Sequence, residues 1–248
     1  MHADPLLQDL PSADSTPHAV SDIIGKLDDY LQDPEVQEKH IGVAFCMVDQ
    51  GRTYFSNHGF STLNPEIPMH QDCLLPIGSV TKTLTGLAAV RLALDGAFSL
   101  EDSVAASFDS LPAGSPFESI TWHQLLSHRA GLPREPDNFT FGRITPYEDY
   151  GPEAVHEAMS TYDGPAAGPH PWAYSNFGYL IIGEHLKRLT QSNYETLIKD
   201  LVTRHFREND ARIDLVDGDR WGLGHGQERE PQPMGFFNSF EPVGGVRA

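Results

Sequence analysis

The strongest constraint on how this chain can fold is a shortage of strands. Residues 41–60, "IGVAFCMVDQGRTYFSNHGF", read as two β-rich runs about a turn at Asp49–Arg52, an antiparallel hairpin. Nearly every other patterned stretch has helical spacing. "AVSDIIGKLDDYLQD" is a helix with Ser21 placed as its N-cap, and a second helix opens at Ser79 and stops at Gly96. "TWHQLLSH" is a short helix closed by the turn "RAGLP", and "GPEAVHEAM" carries Pro152 in its first turn. "NFGYLIIGEHLKRLT" and "YETLIKDLVTRHF" have apolar residues three and four apart, the pattern of amphipathic helices. A two-stranded ribbon alone is marginal in water. Either the fold is mostly helical, or strands that complete a sheet around the hairpin lie outside these residues.

With 248 residues, 39% of them hydrophobic, the chain can bury a sizeable core in one or two domains. Its formal charge of −18 excludes the basic footprint of a nucleic-acid or anionic-membrane partner. Two cysteines make no disulfide framework in a chain this long, and Cys46, inside an apolar run, reads as a small buried hydrophobe. Residues 1–18, rich in Pro, Asp and Ser, read as a loose leader. They lack a basic n-region and a continuous apolar h-region, so a start at Met1 implies a cytoplasmic protein with no membrane association.

Two short motifs carry chemistry. "PIGSVTKTLTGLAAV" puts Ser79 and Lys82 three residues apart at a helix start, on one face. Ser79 could simply cap the helix, and Lys82 could lay its stem along apolar surface. Far downstream, "HPWAYSNFGYL" puts Tyr174 and Asn176 at the entrance of another helix, where Asn176 could be an N-cap. Chance supplies about 0.3 Ser-x-x-Lys and about 0.2 Tyr-x-Asn matches in this composition, so neither decides alone. Together they fit one reaction. A serine hydroxyl needs a base within hydrogen-bond reach to become a nucleophile. Lys82 can be that base only if its pKa falls from ~10.4 to near 7, roughly 4–5 kcal/mol, which requires burial or a second cation. The alternative base is a Tyr174 phenolate stabilised by Lys82 and another cation. Asn176 can meet the Lys82 ammonium with its carbonyl and a substrate carbonyl with its amide.

"SVTK" followed by "YSN" resembles the penicillin-recognising serine hydrolases, the superfamily of class C β-lactamases, D,D-carboxypeptidases, D-aminopeptidases and related esterases. The similarity extends through "CLLPIGSVTKTLTGLAAVRLALDGAFSLEDSV", "ITWHQLLSHRAGLP", "HPWAYSNFGYLIIGEHL" and the terminal "FEPVGGVRA". The resemblance implies a mixed α/β fold of the β-lactamase/transpeptidase type, an antiparallel sheet flanked by helices plus a helical subdomain. It implies Ser79 as the acylated nucleophile, Lys82 and Tyr174 sharing the proton transfers, and Asn176 positioning Lys82 and the substrate. The Ser79 N–H would form half of an oxyanion hole. No metal or organic cofactor is implied, and the partner is a small ester, amide or β-lactam.

The sequence departs from that pattern in one place. The third motif of the superfamily, Lys- or His-Thr/Ser-Gly on a late strand, is not found; His225-Gly226-Gln227 has the wrong order and precedes "VGGVRA". The expectation is therefore an incomplete domain over 19–248. It divides into 19–78 with the first helix and hairpin, a mainly helical 79–205 holding the nucleophile helix, and a loop-rich 206–248. A complementing C-terminal segment would supply the missing strands. His123 and His128, five apart, and the scattered His156, His170, His185 and His205 are expected in solvated or capping roles, with no metal site. Against the hydrolase stands a catalytically incomplete fragment, or a ligand- or partner-binding member of the same fold. A helical scaffold with coincidental motifs is the weakest of the three readings.

Overall fold

The computed structural model describes residues 17–140, 147, 149–165, 168–205 and 238–247. They fall into two compact units, divided between Cys73 and Leu74.

The first unit holds helices α1 (Pro17–Leu31) and α2 (Pro34–Lys39) and strands β1 (Gly42–Asp49), β2 (Arg52–Leu63) and β3 (Glu66–Pro68). Helix α1 begins at Pro17, not after Ser21, because proline's fixed φ and missing N–H suit a first turn. Ser21 thus lies inside the helix, and Pro17 and His18 belong to it, not to a leader. The hairpin pairs Asp49 with Arg52 as expected. Gln50 and Gly51, at φ 47° and 76°, give the two left-handed positions whose twist matches the strands. Strand β3 joins β2 to make an antiparallel sheet in the order β1-β2-β3. Its short "EIP" gave no readable pattern, and its proline suits a sheet edge.

Cys46 is exposed, contrary to the expectation of a buried hydrophobe. Side chains alternate along β1, and Cys46 shares its outward face with Ala44 and Val48. Helix α1 is fastened to β2 by polar contacts: Ser56 Oγ donates to Asp28 Oδ1, and His58 Nε2 lies 3.0 Å from the same oxygen. One imidazole nitrogen faces both Ser56 and Asp28, so this trio lacks the two-sided bridge of a catalytic triad.

The second unit contains α3 (Thr81–Leu94), α4 (Trp122–Leu126), α5 (Pro152–Thr161), α6 (Asn176–Thr190), α7 (Tyr194–Leu201) and α8 (Glu241–Gly244). Local signals place most of the ends. Asp95 and Gly96 (φ 80°) stop α3, Thr121 and Gln124 form a capping box on α4, and Pro152 opens α5. Helix α6 differs from its amphipathic expectation: every residue from Phe177 to Leu186 is buried. It is the central helix, with α3, α4, α5, α7 and α8 packed about it. Phe117, Ile120, Trp122, Leu125, Val155, Met159, Phe177, Leu180 and Ile181, each at most 1% exposed, form the core.

Two polar residues inside α6 have specific solutions. Glu184 is paired with Lys187 Nζ at 2.7 Å and accepts from Ser239 Oγ at 2.8 Å. His185, expected to be solvated or capping, is buried and stacked on Trp122 with ring centroids 4.1 Å apart. Burial, with Arg188 adding to it, drops its pKa to about 4, so the ring is neutral and packs as an aromatic. Among the described residues no helix is long and apolar enough to cross a membrane.

Candidate active site

A single 3-10 turn, Gly78–Val80, leads into α3 and carries Ser79. No side chain caps this start. The hydroxyl of Ser79 is exposed and engaged elsewhere, so the capping role available to it in the sequence is not used. One helical turn on, Lys82 is 6% exposed and donates from Nζ to Ser79 Oγ at 3.2 Å. A second bond runs from Lys82 Nζ to the carbonyl oxygen of Val243 at 2.8 Å.

That carbonyl is held in place from several points. Thr85 Oγ1 donates to Pro242 O at 2.7 Å, Val246 N donates to Thr81 Oγ1 at 3.2 Å, and Ile77 N donates to Val246 O at 3.0 Å. The segment around "PVGGV" thus anchors the lysine to the turn that carries Ser79. Spacing along the sequence could not reveal this contact, because Val243 lies more than 160 residues from Lys82.

Tyr174 arrives from a loop zipped against the segment after α4. Ala173 N donates to His128 O at 2.9 Å, Ser175 N to His128 Nδ1 at 3.1 Å, and Asn176 N to Arg134 O at 2.7 Å. The result is a Tyr174 OH donating to Ser79 Oγ at 2.7 Å. Lys82, one helical turn on, and Tyr174, 95 residues on, therefore converge on the Ser79 oxygen. His128 tilts against the Tyr174 ring at 4.8 Å between centroids. Burial, and then the Lys82 charge, push its pKa down, so it supports the tyrosine as a neutral ring. This role was missed in the sequence, where His128 looked like one of several unremarkable histidines.

Asn176 behaves differently from its expected role. Ser175 takes the N-cap of α6, accepting from Gly178 N at 3.0 Å, which leaves the Asn176 side chain free of that duty. Its Nδ2 donates to Glu135 Oε1 at 2.5 Å, while its Oδ1 is buried without a hydrogen-bond partner among the described residues. The expected carbonyl contact to the Lys82 ammonium is therefore not made. The preceding residue, Arg134, lays its guanidinium 5.0 Å from the Tyr174 ring centroid, opposite in sign to Glu135.

Electrostatics around Lys82 are mixed. Burial lowers its pKa most; Tyr174 and Glu135 raise it, Arg134 lowers it, and the net direction is down. A guanidinium near the site thus exists without the third motif, and nothing in the "REP" tripeptide announced it. His225 lies outside the described residues, as does the side chain of His205. Among the described residues no group of three or more His, Cys, Asp or Glu could share a metal ion.

The fold and this convergence of serine, lysine and tyrosine define a class: a helix-borne serine set between a lysine and a tyrosine in a mixed α/β protein. Residues 23–240 match the Beta-lactamase family, and the chain belongs to it. It is 26% identical over 182 residues to penicillin-binding protein 4* of Bacillus subtilis (strain 168), covering 71% of this chain and 39% of that protein. The crystal structure of a class C β-lactamase from Rhodobacter sphaeroides superposes with a TM-score of 0.74 at 20% identity, over 90% of this chain and 60% of that one. An octameric penicillin-binding protein homologue from Pyrococcus abyssi superposes with a TM-score of 0.77 at 23% identity, over 91% and 53%. These likenesses establish the β-lactamase/transpeptidase fold. The chain spans about two fifths to three fifths of the length of these proteins.

Proposed function

We propose that the protein is a serine hydrolase that cleaves a small ester or amide through a covalent acyl-enzyme on Ser79. The observation that carries this is the placement of Ser79 Oγ within hydrogen-bond reach of both Lys82 Nζ and Tyr174 OH, at 3.2 and 2.7 Å. Tyr174 offers the nearer oxygen for the Ser79 proton. Lys82, tied to the Val243 carbonyl, sits beside that phenol, and as the neutral amine it can take the phenol proton. Ser79 Oγ attacks the substrate carbonyl as its proton passes to the Tyr174 oxygen and the proton that oxygen held passes to Lys82 Nζ. Lys82 then returns a proton through Tyr174 to the leaving group, and water releases the acid by the reverse sequence. The substrate class is that of the family, an ester, a D-amino-acid peptide or a β-lactam.

The test is the intact mass of the 248-residue protein after exposure to a fluorophosphonate, with Ser79→Ala as control. A single adduct on the wild type and none on the variant is the expected result. A folded wild type that takes no adduct, or a variant that takes the same one, would remove Ser79 from the role.

A further inference from the structure

One carboxylate beside the nucleophile is used by neither motif. Glu135 lies in the loop after α4, nine positions past Leu126, and its side chain is 14% exposed. Its Oε1 accepts from Asn176 Nδ2 at 2.5 Å. Its Oε2 is buried without a hydrogen-bond partner among the described residues, as is Asn176 Oδ1. The neighbouring Arg134 does little for it: the closest approach, Nε to Oε1, is 4.0 Å, and that side chain is 70% exposed. A carboxylate withdrawn from water with half its acceptors unfilled is costly to keep. Burial accordingly pushes the Glu135 pKa up, against the opposing pull of Asn176, Arg134 and Lys82.

We propose that Glu135 is a positioning residue for acyl transfer: its carboxylate holds the Asn176 amide and its charge acts on the Lys82 ammonium beside Ser79. This rests on the reading of Ser79 as nucleophile. The groups acting on Lys82 are Tyr174 and Tyr179, whose ring centroids lie 4.9 and 5.6 Å from Nζ, the Val243 carbonyl, His128, Arg134 and Glu135. Of these, Glu135 brings the anionic charge and Arg134 the opposing cationic one. Glu135 therefore favours the protonated lysine. Its removal leaves Arg134 unopposed, so Lys82 releases its proton more readily. Lys82 takes up a proton in the relay from Ser79, so the acid limb of acylation moves to lower pH.

The experiment is the pH profile of the second-order rate constant for fluorophosphonate labelling, followed by intact mass, in wild type, Glu135→Gln and Glu135→Asp. The glutamine keeps an acceptor for Asn176 and loses the charge; the aspartate keeps the charge on a shorter arm. Glu135→Gln is expected to shift the acid limb down by about half to one pH unit, with its thermal midpoint close to wild type. Glu135→Asp is expected to keep the limb in place with a slower rate. A glutamine variant whose limb stays put, or whose labelling falls equally at every pH, would overturn the proposal. Absence of any Ser79-dependent labelling in the wild type would instead strike the nucleophile assignment. The Glu135 proposal would then be decided by NMR titration of the Lys82 side chain, whose midpoint must fall in Glu135→Gln.

Discussion

Ser79 does not owe its chemistry to its position in the sequence alone. Its hydroxyl is unremarkable until Lys82 and Tyr174 are brought within 3.2 and 2.7 Å of it. Tyr174→Phe keeps the ring that lies 4.9 Å from Lys82 Nζ, 5.0 Å from the Arg134 guanidinium and 4.8 Å from His128, and removes only the oxygen. Labelling of Ser79 in that variant is expected to slow by about 10²–10⁴-fold, the usual contribution of a positioned acid–base group. Thermal stability should be unchanged, which separates a lost proton carrier from a lost fold. A labelling rate within a factor of two of wild type would leave Lys82 as the base. At this scale Ser79, Lys82 and Tyr174 could be singled out as candidates from two short motifs and their likeness to a known family, whereas Glu135 and His128 could not, since a single Glu or His in a loop carries no pattern.

At the scale of elements, the site depends on how closely α8 approaches α6. A Cβ built on Gly183 would sit 2.0 Å from Cγ of Pro242, the residue before the one whose carbonyl binds Lys82. Gly→Ala inside a helix ordinarily stabilises by up to about 1 kcal/mol. Here overpacking against a rigid proline ring costs about 1–3 kcal/mol and wins. Gly183→Ala should therefore lower the denaturation midpoint and slow Ser79 labelling together, because α8 must move and take the Val243 carbonyl with it. A stabilised Gly183→Ala protein with normal labelling would show that the contact is easily relieved. Helix ends followed local rules: Thr121 with Gln124, Pro152, and Gly96 each acted where its chemistry placed it. The α6 cap went to Ser175 and not Asn176, a choice between adjacent good caps that depends on which side chain has another partner.

For the molecule as a whole, the buried His185 links acidity to stability. Its pKa is depressed from 6.5 to about 4 in the folded state by burial, so folding favours the neutral ring. The stability this provides is present above the unfolded pKa near 6.5 and is lost as pH falls through about 4. The full span is worth up to about 3 kcal/mol, a large share of a typical domain's stability. His185→Phe keeps a ring to stack on Trp122 and cannot take a proton. Unfolding free energy measured between about pH 7 and 4 should fall less steeply in the variant than in wild type. Parallel curves would mean that other groups dominate the acid transition.

The sequence by itself determined the helix-rich organisation and the hairpin, which are written in local chemistry: periodicity, caps and turn residues. It showed the family through the likeness of its motifs to known ones, and singled out Ser79, Lys82 and Tyr174 as candidates. Only the tertiary structure decided the rest. It made α6 a central helix buried along Phe177–Leu186, turned Cys46 outward, and set the carbonyl of Val243 against Lys82. It also put Glu135 on the amide of Asn176. The reason is physical. Burial and charge coupling belong to groups that meet through space, and residues 41 or 161 positions apart, as Glu135 from Asn176 and Lys82 from Val243, leave no mark of that meeting in the order of the chain.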